Sequence, residues 1–347
     1  MSEPAGSSAP AVIAALGAAV PPRRMTNADW GQYVHTSDEW IRSRTGIEER
    51  RVAGDDESTA TLATRAAERC LAAARFPSDR LRWVLVSTDT PEMWNPATAC
   101  FVQAAIGAVN AVALDITGGC SGFVAALGLA ESRARLGDPV LLIGCEVLSK
   151  AMDWSDRSTA VLFGDGAGAA LVLPAGDAQG LSVTSLIART DGRDADILGK
   201  PYGGTKNPLT PELVASGHHH QIVMHGQYVF RNAVVHMTEA AYAALARAGL
   251  TLGDIDWIVP HQANQRILDA VAERLKVEAT RVYSNVARFA NTGSASIGIA
   301  LVEAIQRGLL ERGQHLLTVA FGSGFSWAAS VLTCTAVPPV EADWGTG

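Results

Sequence analysis

Leu81-Arg82-Trp83-Val84-Leu85-Val86 and, far later in the chain, Ile255-Asp256-Trp257-Ile258-Val259-Pro260 are two versions of one pattern: an apolar residue, a charged residue, a Trp and a short apolar run. A short apolar run bounded by turn residues reads as a buried strand. A second pair follows in the same order. Phe163-Gly164-Asp165-Gly166-Ala167-Gly168-Ala169-Ala170 closes the first half as Phe321-Gly322-Ser323-Gly324-Phe325-Ser326-Trp327-Ala328 closes the second. Between these landmarks each half carries a turn of small residues followed by an apolar helix. The turn holds Cys120 in one half and Asn291 in the other. Self-similarity of this kind marks a duplication. A pseudo-twofold relation between the halves would bring the two turns, each at a helix start, together at the centre.

Outward from these landmarks, strands are expected over 11–20, 81–87, 112–116, 139–144, 167–173, 255–259, 315–320 and 327–333, with helices over 121–136 and 295–310. Short apolar strands alternating with longer helices imply a layered α/β fold. Residues 1–10, rich in Ser, Pro, Ala and Gly, are expected to be disordered. The two halves are then 11–175, with the Cys turn, and 176–347, with His261 and Asn291. The segment 189–221, rich in Gly, Pro, Asp and Lys, fits neither repeat and is expected to be a long loop or cap over an entrance.

The chain has 347 residues, 48% of them apolar, enough for a sizeable core. Only 18% are charged, so part of the surface is expected to be a subunit interface. A net charge of -7 with no Lys/Arg-rich block argues against a general nucleic-acid binder. Five cysteines without CxxC pairing or zinc-like spacing fit a reducing compartment. The N-terminus has no basic region, and the run 11–20 is too short to span a bilayer, so no membrane association and a cytoplasmic location are expected.

The chemistry-bearing residues sit at the expected turns. In Gly118-Gly119-Cys120-Ser121-Gly122-Phe123 a strand runs through a tight Gly turn into a helix, a geometry that exposes a side chain for attack. A thiol at a helix N-terminus is expected to gain thiolate character. His261 follows a strand in Pro260-His261-Gln262-Ala263-Asn264, and Asn291 opens Asn291-Thr292-Gly293-Ser294-Ala295-Ser296. Taken singly, each has a plainer reading: a packed Cys, a satisfied His, a helix cap. Together they suit thioester chemistry, because neutral N–H donors stabilise an oxyanion or an enolate oxygen. Cys70, Cys100, Cys145 and Cys334 lie in apolar contexts and read as packing residues. No metal site is expected at His218-His219-His220, because no acidic or Cys partner is suitably spaced. Gly164-x-Gly166-x-Gly168 is too tight for a nucleotide loop and precedes a strand.

These motifs resemble those of the β-ketoacyl-acyl-carrier-protein synthase III family, condensing enzymes of the thiolase superfamily, over roughly the whole chain. Trp40-Ile41-Arg42-Ser43-Arg44-Thr45-Gly46-Ile47 resembles the family's coenzyme A motif, and Gly119-Cys120-Ser121-Gly122-Phe123 its nucleophile motif. Phe163 to Ala169 resembles the close of its first half. His261-Gln262-Ala263-Asn264 and Asn291 to Ser296 resemble its two donor motifs. The resemblance implies a thiolase fold, with duplicated pseudo-twofold halves layered αβαβα. It implies that Cys120 is acylated, that His261 and Asn291 hold the oxygen of an extender thioester, and that the backbone N–H groups of Cys120 and Ser323 form an oxyanion hole. It places Trp40 and Arg157 on the adenine of coenzyme A, Arg44 near its phosphates and Phe230 along the pantetheine tunnel. Arg231 and Arg266 are placed where an acyl carrier protein docks. A homodimer is implied, with acyl-CoA as substrate and no resident cofactor.

The departures from the family pattern leave the acyl preference open. Gly118 and Gly119 stand where two alanines are common, Gln227 where some members have Asn, and Gly322-Ser323-Gly324 within a usual Gly triplet. Trp94, Asn95 and Pro96 stand at acyl-pocket or dimer-contact positions. Glu146-Val147-Leu148-Ser149-Lys150 resembles members that prime polyketides or quinolones. The expected reaction is acyl transfer to Cys120, then decarboxylative Claisen condensation with a malonyl thioester. The alternative passes the acyl group to a hydroxyl or amine, with His261 as general base. A third, non-enzymatic reading is a carrier-protein-binding scaffold.

Overall fold

The computed structural model describes residues 10–176 and 178–345; the disorder expected for 1–10 falls, Pro10 apart, outside them. In chain order the main elements are β1 (Val12–Ala19), α1 (Asp38–Thr45), α2 (Thr59–Ala74), β2 (Trp83–Ser87), α3 (Thr98–Ala105), β3 (Val112–Ile116), α4 (Gly122–Arg135), β4 (Val140–Glu146), β5 (Gly166–Leu173) and β6 (Leu181–Thr190). There follow α5 (Pro211–Ser216), α6 (Gly226–Ala248), β7 (Trp257–Pro260), α7 (Gln265–Leu275), α8 (Ser296–Gln306), β8 (His315–Gly322), β9 (Ser326–Cys334) and β10 (Val340–Asp343).

The duplication is written into the sheet. Strand order is β3-β2-β4-β5-β1 in the first half and β7-β8-β9-β6 in the second. Val282 bridges Ile258 in parallel, in the place that β3 takes beside β2. Directions match as well: β2 runs parallel to β4 and β7 parallel to β8, while β4/β5, β5/β1, β8/β9 and β9/β6 are antiparallel. Trp83 and Trp257 open equivalent strands, opposite Val140 and Leu316. The halves meet where Val12 and Ile13 of β1 pair with Ser182 and Leu181 of β6.

Helices complete the αβαβα layering. α2 covers β1, β5 and β4 on one outer side, α6 covers β9, β8 and β6 on the other, and α4 and α8 lie between. The central pair contacts both halves: α4 reaches β4 and β9, and α8 reaches β5 and β7. Composition explains how both fit. A Cβ on Gly168 of β5 would lie 2.7 Å from Gly298 Cα, and one on Gly298 of α8 would lie 2.9 Å from Gly168 Cα. Helix and strand backbones therefore touch, which only glycine allows on both sides. α8 is buried almost throughout, Ser296 to Ile305, as expected of a helix clad by sheets on two sides.

The segment 189–221, expected to be a long loop or cap, carries local structure of its own. Residues 189 and 190 belong to β6, paired with Trp327 and Ser326. Residues 198–199 pair with 223–224. α5 starts on a capped turn, with Thr210 Oγ1 accepting from Leu213 N and Pro211 at its first position. The sequence signal was composition, which reports turns well and short local pairing poorly. No helix of the described residues is long and apolar enough to cross a membrane.

The glycine contact at the centre is testable. Gly168→Ala should destabilise the fold by about 1–3 kcal/mol through overpacking. The readout is a lower urea midpoint with an unchanged slope. An unchanged midpoint would mean the centre can relax.

Candidate active site

Cys120 lies in the turn Gly119–Ser121, between β3 and α4. One residue before the thiol, Gly119 takes the left-handed conformation at φ +59°, which glycine adopts freely. A Cβ there would fall 2.6 Å from Ser323 N, and a Cβ on Gly322 would fall 2.4 Å from Cys120 N. The two glycines thus let the backbone of β8's end press against the Cys turn, bringing the amides of Cys120 and Ser323 to facing segments. The second half repeats the device. Ala290, directly before Asn291, has φ +56° and is fully buried. A non-Gly residue held there costs roughly 1–3 kcal/mol and persists only where its surroundings enforce it.

Asn291 is held from both sides. Its backbone exchanges hydrogen bonds with the 162–164 turn: Asn291 N donates to Leu162 O at 2.9 Å, and Gly164 N donates to Asn291 O at 3.0 Å. Its side-chain Oδ1 accepts from Gly293 N at 2.8 Å. The amide orientation follows, leaving Nδ2 as a donor with no partner among the described residues.

His261 extends the ladder past β7, its N donating to Val319 O at 2.8 Å. Its Nδ1 lies 2.7 Å from Ser296 Oγ, which also accepts from Gln262 N at 3.4 Å. Ser296 Oγ has no other acceptor among the described residues, so its proton goes to Nδ1. His261 then carries its own proton on Nε2 and presents it as a donor. Burial pushes its pKa down to about 3, so the ring is neutral at ordinary pH. Gln262 fixes the loop: its Nε2 donates to Pro260 O and Tyr283 O, and its Oε1 accepts from Asn285 N. Ser296 and Gln262 lie inside the donor motifs, but nothing in the sequence marked them as the residues that orient His261.

Beneath the turns lies Glu146, at the end of β4. Its carboxyl accepts from Asp89 N at 3.1 and 3.2 Å and from Thr90 Oγ1 at 2.8 Å. Ser294 Oγ lies 2.9 Å from Glu146 Oε1 and 2.8 Å from Ser87 O. One hydroxyl proton cannot serve both oxygens, so a proton on Glu146 completes the set. Burial, then the neighbouring Asp89, push the Glu146 pKa up to about 8, in agreement.

Cys120 overturns one expectation. Enclosure by protein, then the neighbouring Asp89, push its thiol upward rather than toward thiolate. Desolvation and a nearby carboxylate oppose the partial charge of the helix N-terminus. The side chain is nonetheless only half-buried, because it faces open space. Cys70 and Cys145 are fully buried, their Sγ donating to Ala15 O and Thr59 O, as expected of packing residues.

Two cavities flank the Cys turn. One of about 610 Å³ is lined by Asp89, Thr117, Lys150, Lys200, Trp94 and His219. Another of about 430 Å³ is lined by Gly118, Gly119 and Ser323 and shares Thr117 and Lys200 with the first. The segment 198–220 supplies Lys200 and His219, so it does cap this region. Farther out, Arg157 Cζ lies 4.5 Å and Arg44 Cζ 5.0 Å from the Trp40 ring centroid. Phe230 and Arg266 meet across the starts of α6 and α7, at 5.8 Å, and Arg231 is exposed on α6. The structure thus gathers the coenzyme A candidates Trp40, Arg44 and Arg157 into one cluster and Phe230 with Arg266 into another. Among the described residues, no group of three His, Cys, Asp or Glu is placed to hold a metal.

Comparison with known proteins gives concordant matches. Residues 114–192 match the model for 3-oxoacyl-[acyl-carrier-protein] synthase III, and residues 245–334 match the model for that family's C-terminal region. The chain is 44% identical to the β-ketoacyl-[acyl-carrier-protein] synthase III of Roseiflexus castenholzii, covering 94% of this chain and 98% of the relative. The counterpart from Caldanaerobacter subterraneus is 46% identical, over 92% and 96%. Among solved structures, the β-ketoacyl-[acyl carrier protein] synthase III of Thermus thermophilus aligns with a TM-score of 0.85 and 44% identity, over 93% and 98%. A priming β-ketosynthase from a polyketide biosynthetic pathway aligns with a TM-score of 0.85 and 33% identity, over 95% and 97%.

The neutral His261 has a measurable signature. The unfolded chain takes up its proton near pH 6.5, the folded chain only near 3. Its contribution to stability is therefore fully present above 6.5 and is lost as pH falls toward 3. The stability difference between wild type and His261→Gln should shrink over that window in urea titrations. A constant difference would mean His261 titrates normally in the fold.

Proposed function

Because the chain belongs to the 3-oxoacyl-[acyl-carrier-protein] synthase III family of condensing enzymes, we propose that Cys120 accepts an acyl group from a thioester and that His261 and Asn291 drive its condensation with a malonyl thioester. In the first step Sγ attacks the thioester carbonyl. The oxyanion forms beside the N–H groups of Cys120 and Ser323, the Cys120 proton is passed on, and coenzyme A departs as its thiol. In the second, the malonyl thioester loses carbon dioxide, and the charge left on its thioester oxygen receives the N–H groups of His261 Nε2 and Asn291 Nδ2. The carbanion then attacks the acyl carbonyl, and Cys120 leaves as the thiolate.

The observation that carries this reading is the pair of oriented neutral donors. Ser296 fixes the His261 tautomer, and Gly293 N fixes the Asn291 amide. Donors pre-aimed at a developing charge cost no reorganisation during reaction. The alternative, transfer to a hydroxyl or amine, needs His261 as a base. An imidazole whose pKa is pushed down to about 3, with Nε2 already protonated, is a poor one.

Substrates fit the outlying clusters. The Trp40 face between two guanidinium groups suits an adenine and its phosphates. Phe230 suits the pantetheine arm, and exposed Arg231 and Arg266 suit an acidic carrier protein. Coenzyme A serves here as substrate, not as resident cofactor. The open sheet edge at β3, with Val112 and Leu114 about half exposed, supports a homodimer.

Asn291→Ala should still gain the acyl mass on Cys120, yet lose roughly a hundredfold or more in carbon dioxide release from a malonyl thioester. Intact mass and headspace carbon dioxide read the two steps separately. A wild type that acylates alcohols or amines and never decarboxylates a malonyl unit would overturn the condensation reading. Trp40→Ala should raise KM for a coenzyme A donor and spare one delivered on a carrier protein; equal losses with both would assign Trp40 to folding.

A further inference from the structure

Asp89 lies just past the end of β2, on the wall of the 610 Å³ cavity. It is surrounded by protein, yet its side chain stays open to the cavity space. One carboxylate oxygen accepts from Gly119 N at 3.3 Å, the peptide next to Cys120. That is its one side-chain hydrogen bond among the described residues, and no cation pairs with it there. The two lysines on the same wall are engaged elsewhere. Lys150 Nζ donates to Asp55 O and Glu57 O, and Lys200 Nζ donates to Ala151 O at 2.6 Å. Glu92 on the same wall likewise accepts one hydrogen bond, from Ala60 N at 2.8 Å. Asp89 is the carboxylate of the wall that reaches the Cys120 turn, and it keeps acceptor capacity to spare.

We propose that Asp89 selects the acyl group: the chain loaded on Cys120 carries a hydrogen-bond donor, a hydroxyl or an ammonium, close to its thioester carbonyl. The proposal rests on Cys120 being the acylated residue. The physical ground is the cost of covering Asp89. A plain alkyl chain lying along this wall would strip water from the carboxylate and give nothing back, and a buried polar group left without a partner costs about 1–3 kcal/mol, more if charged. A donor on the chain replaces the lost water. A second carboxylate on the chain would be repelled, which keeps dicarboxylic acyl groups such as malonyl off Cys120 and reserves them for the second step. A site that hydrogen-bonds its substrate in this way rejects the analogue lacking the donor far more strongly than an apolar pocket rejects a missing methylene.

The test compares coenzyme A thioesters of one chain length: propionyl, 3-hydroxypropionyl and 3-aminopropionyl. The rate at which Cys120 gains mass is followed by intact-protein mass spectrometry. In wild type, at least one of the two donor-bearing thioesters should load about tenfold or more faster than propionyl; which one leads tells a hydroxyl from an ammonium site. Asp89→Thr should speed propionyl loading and slow the favoured thioester. Propionyl loading as fast as both others in wild type, or Asp89→Thr slowing all three alike, would overturn the proposal while leaving Cys120 as the nucleophile. Mass gain on none of them would overturn the Cys120 reading and this one with it. The wild-type ranking decides the matter even where the variant fails to fold.

Discussion

One carboxyl joins the Cys120 turn to the Asn291 turn. Glu146 takes hydrogen bonds from the loop after β2, through Asp89 N and Thr90 Oγ1, and contacts Ser294 at the start of α8. The first loop touches Gly119 and so the Cys120 turn; Ser294 is three residues from Asn291. A Cβ on Gly293 would collide with the Glu146 side chain at 2.6 Å, so the second turn is seated directly on it. Removing such a group leaves several buried donors without a partner at once, so the pieces of this network act together.

The fold supports this junction by symmetry. Two equivalent crossings, β2 to α4 to β4 and β7 to α8 to β8, point the starts of both central helices at the same place. Each carries a residue with left-handed φ immediately before the side chain at the helix start, Gly119 and Ala290. The duplication supplies matched backbone frames, and divergence has placed Cys120 in one and Asn291 in the other. Close glycine contacts then remove the space that side chains would otherwise fill, between Gly168 and Gly298 and between Gly119 and Ser323. Packing of this density resists small displacements, which suits donors that must already be aimed when charge appears.

The electrostatics follow from the same enclosure. Burial keeps His261 neutral and a proton on Glu146, and holds Cys120 as a thiol at rest. Each effect favours the uncharged form, so the site is polar without carrying a large fixed charge. Burial pushes the Asp89 carboxyl up as well, opposed by the hydrogen bond from Gly119 N, but its side chain is open to the cavity, where water or a substrate group can satisfy it.

The sequence by itself determined most of the strands, the duplication and the candidate trio Cys120, His261 and Asn291, because these rest on local pattern: short apolar runs, Gly turns at helix starts, and short motifs. It did not reveal β6, whose last residues are exposed, or β10. Trp40 and Arg44 come together on α1, a helix that was not among those expected from the sequence. Arg157, more than a hundred residues away, reached Trp40 only through the resemblance to a family, and its stacking was decided by the fold. The tertiary structure alone supplied the His261 tautomer, since Ser296 lies 35 positions along the chain, and the junction at Glu146, whose partners come from two distant segments, 88–90 and the turn holding Ser294. It also reversed the expected thiolate character of Cys120. A helix start is visible in a sequence, but desolvation and the approach of Asp89, which push the thiol the other way, exist only once distant segments have packed.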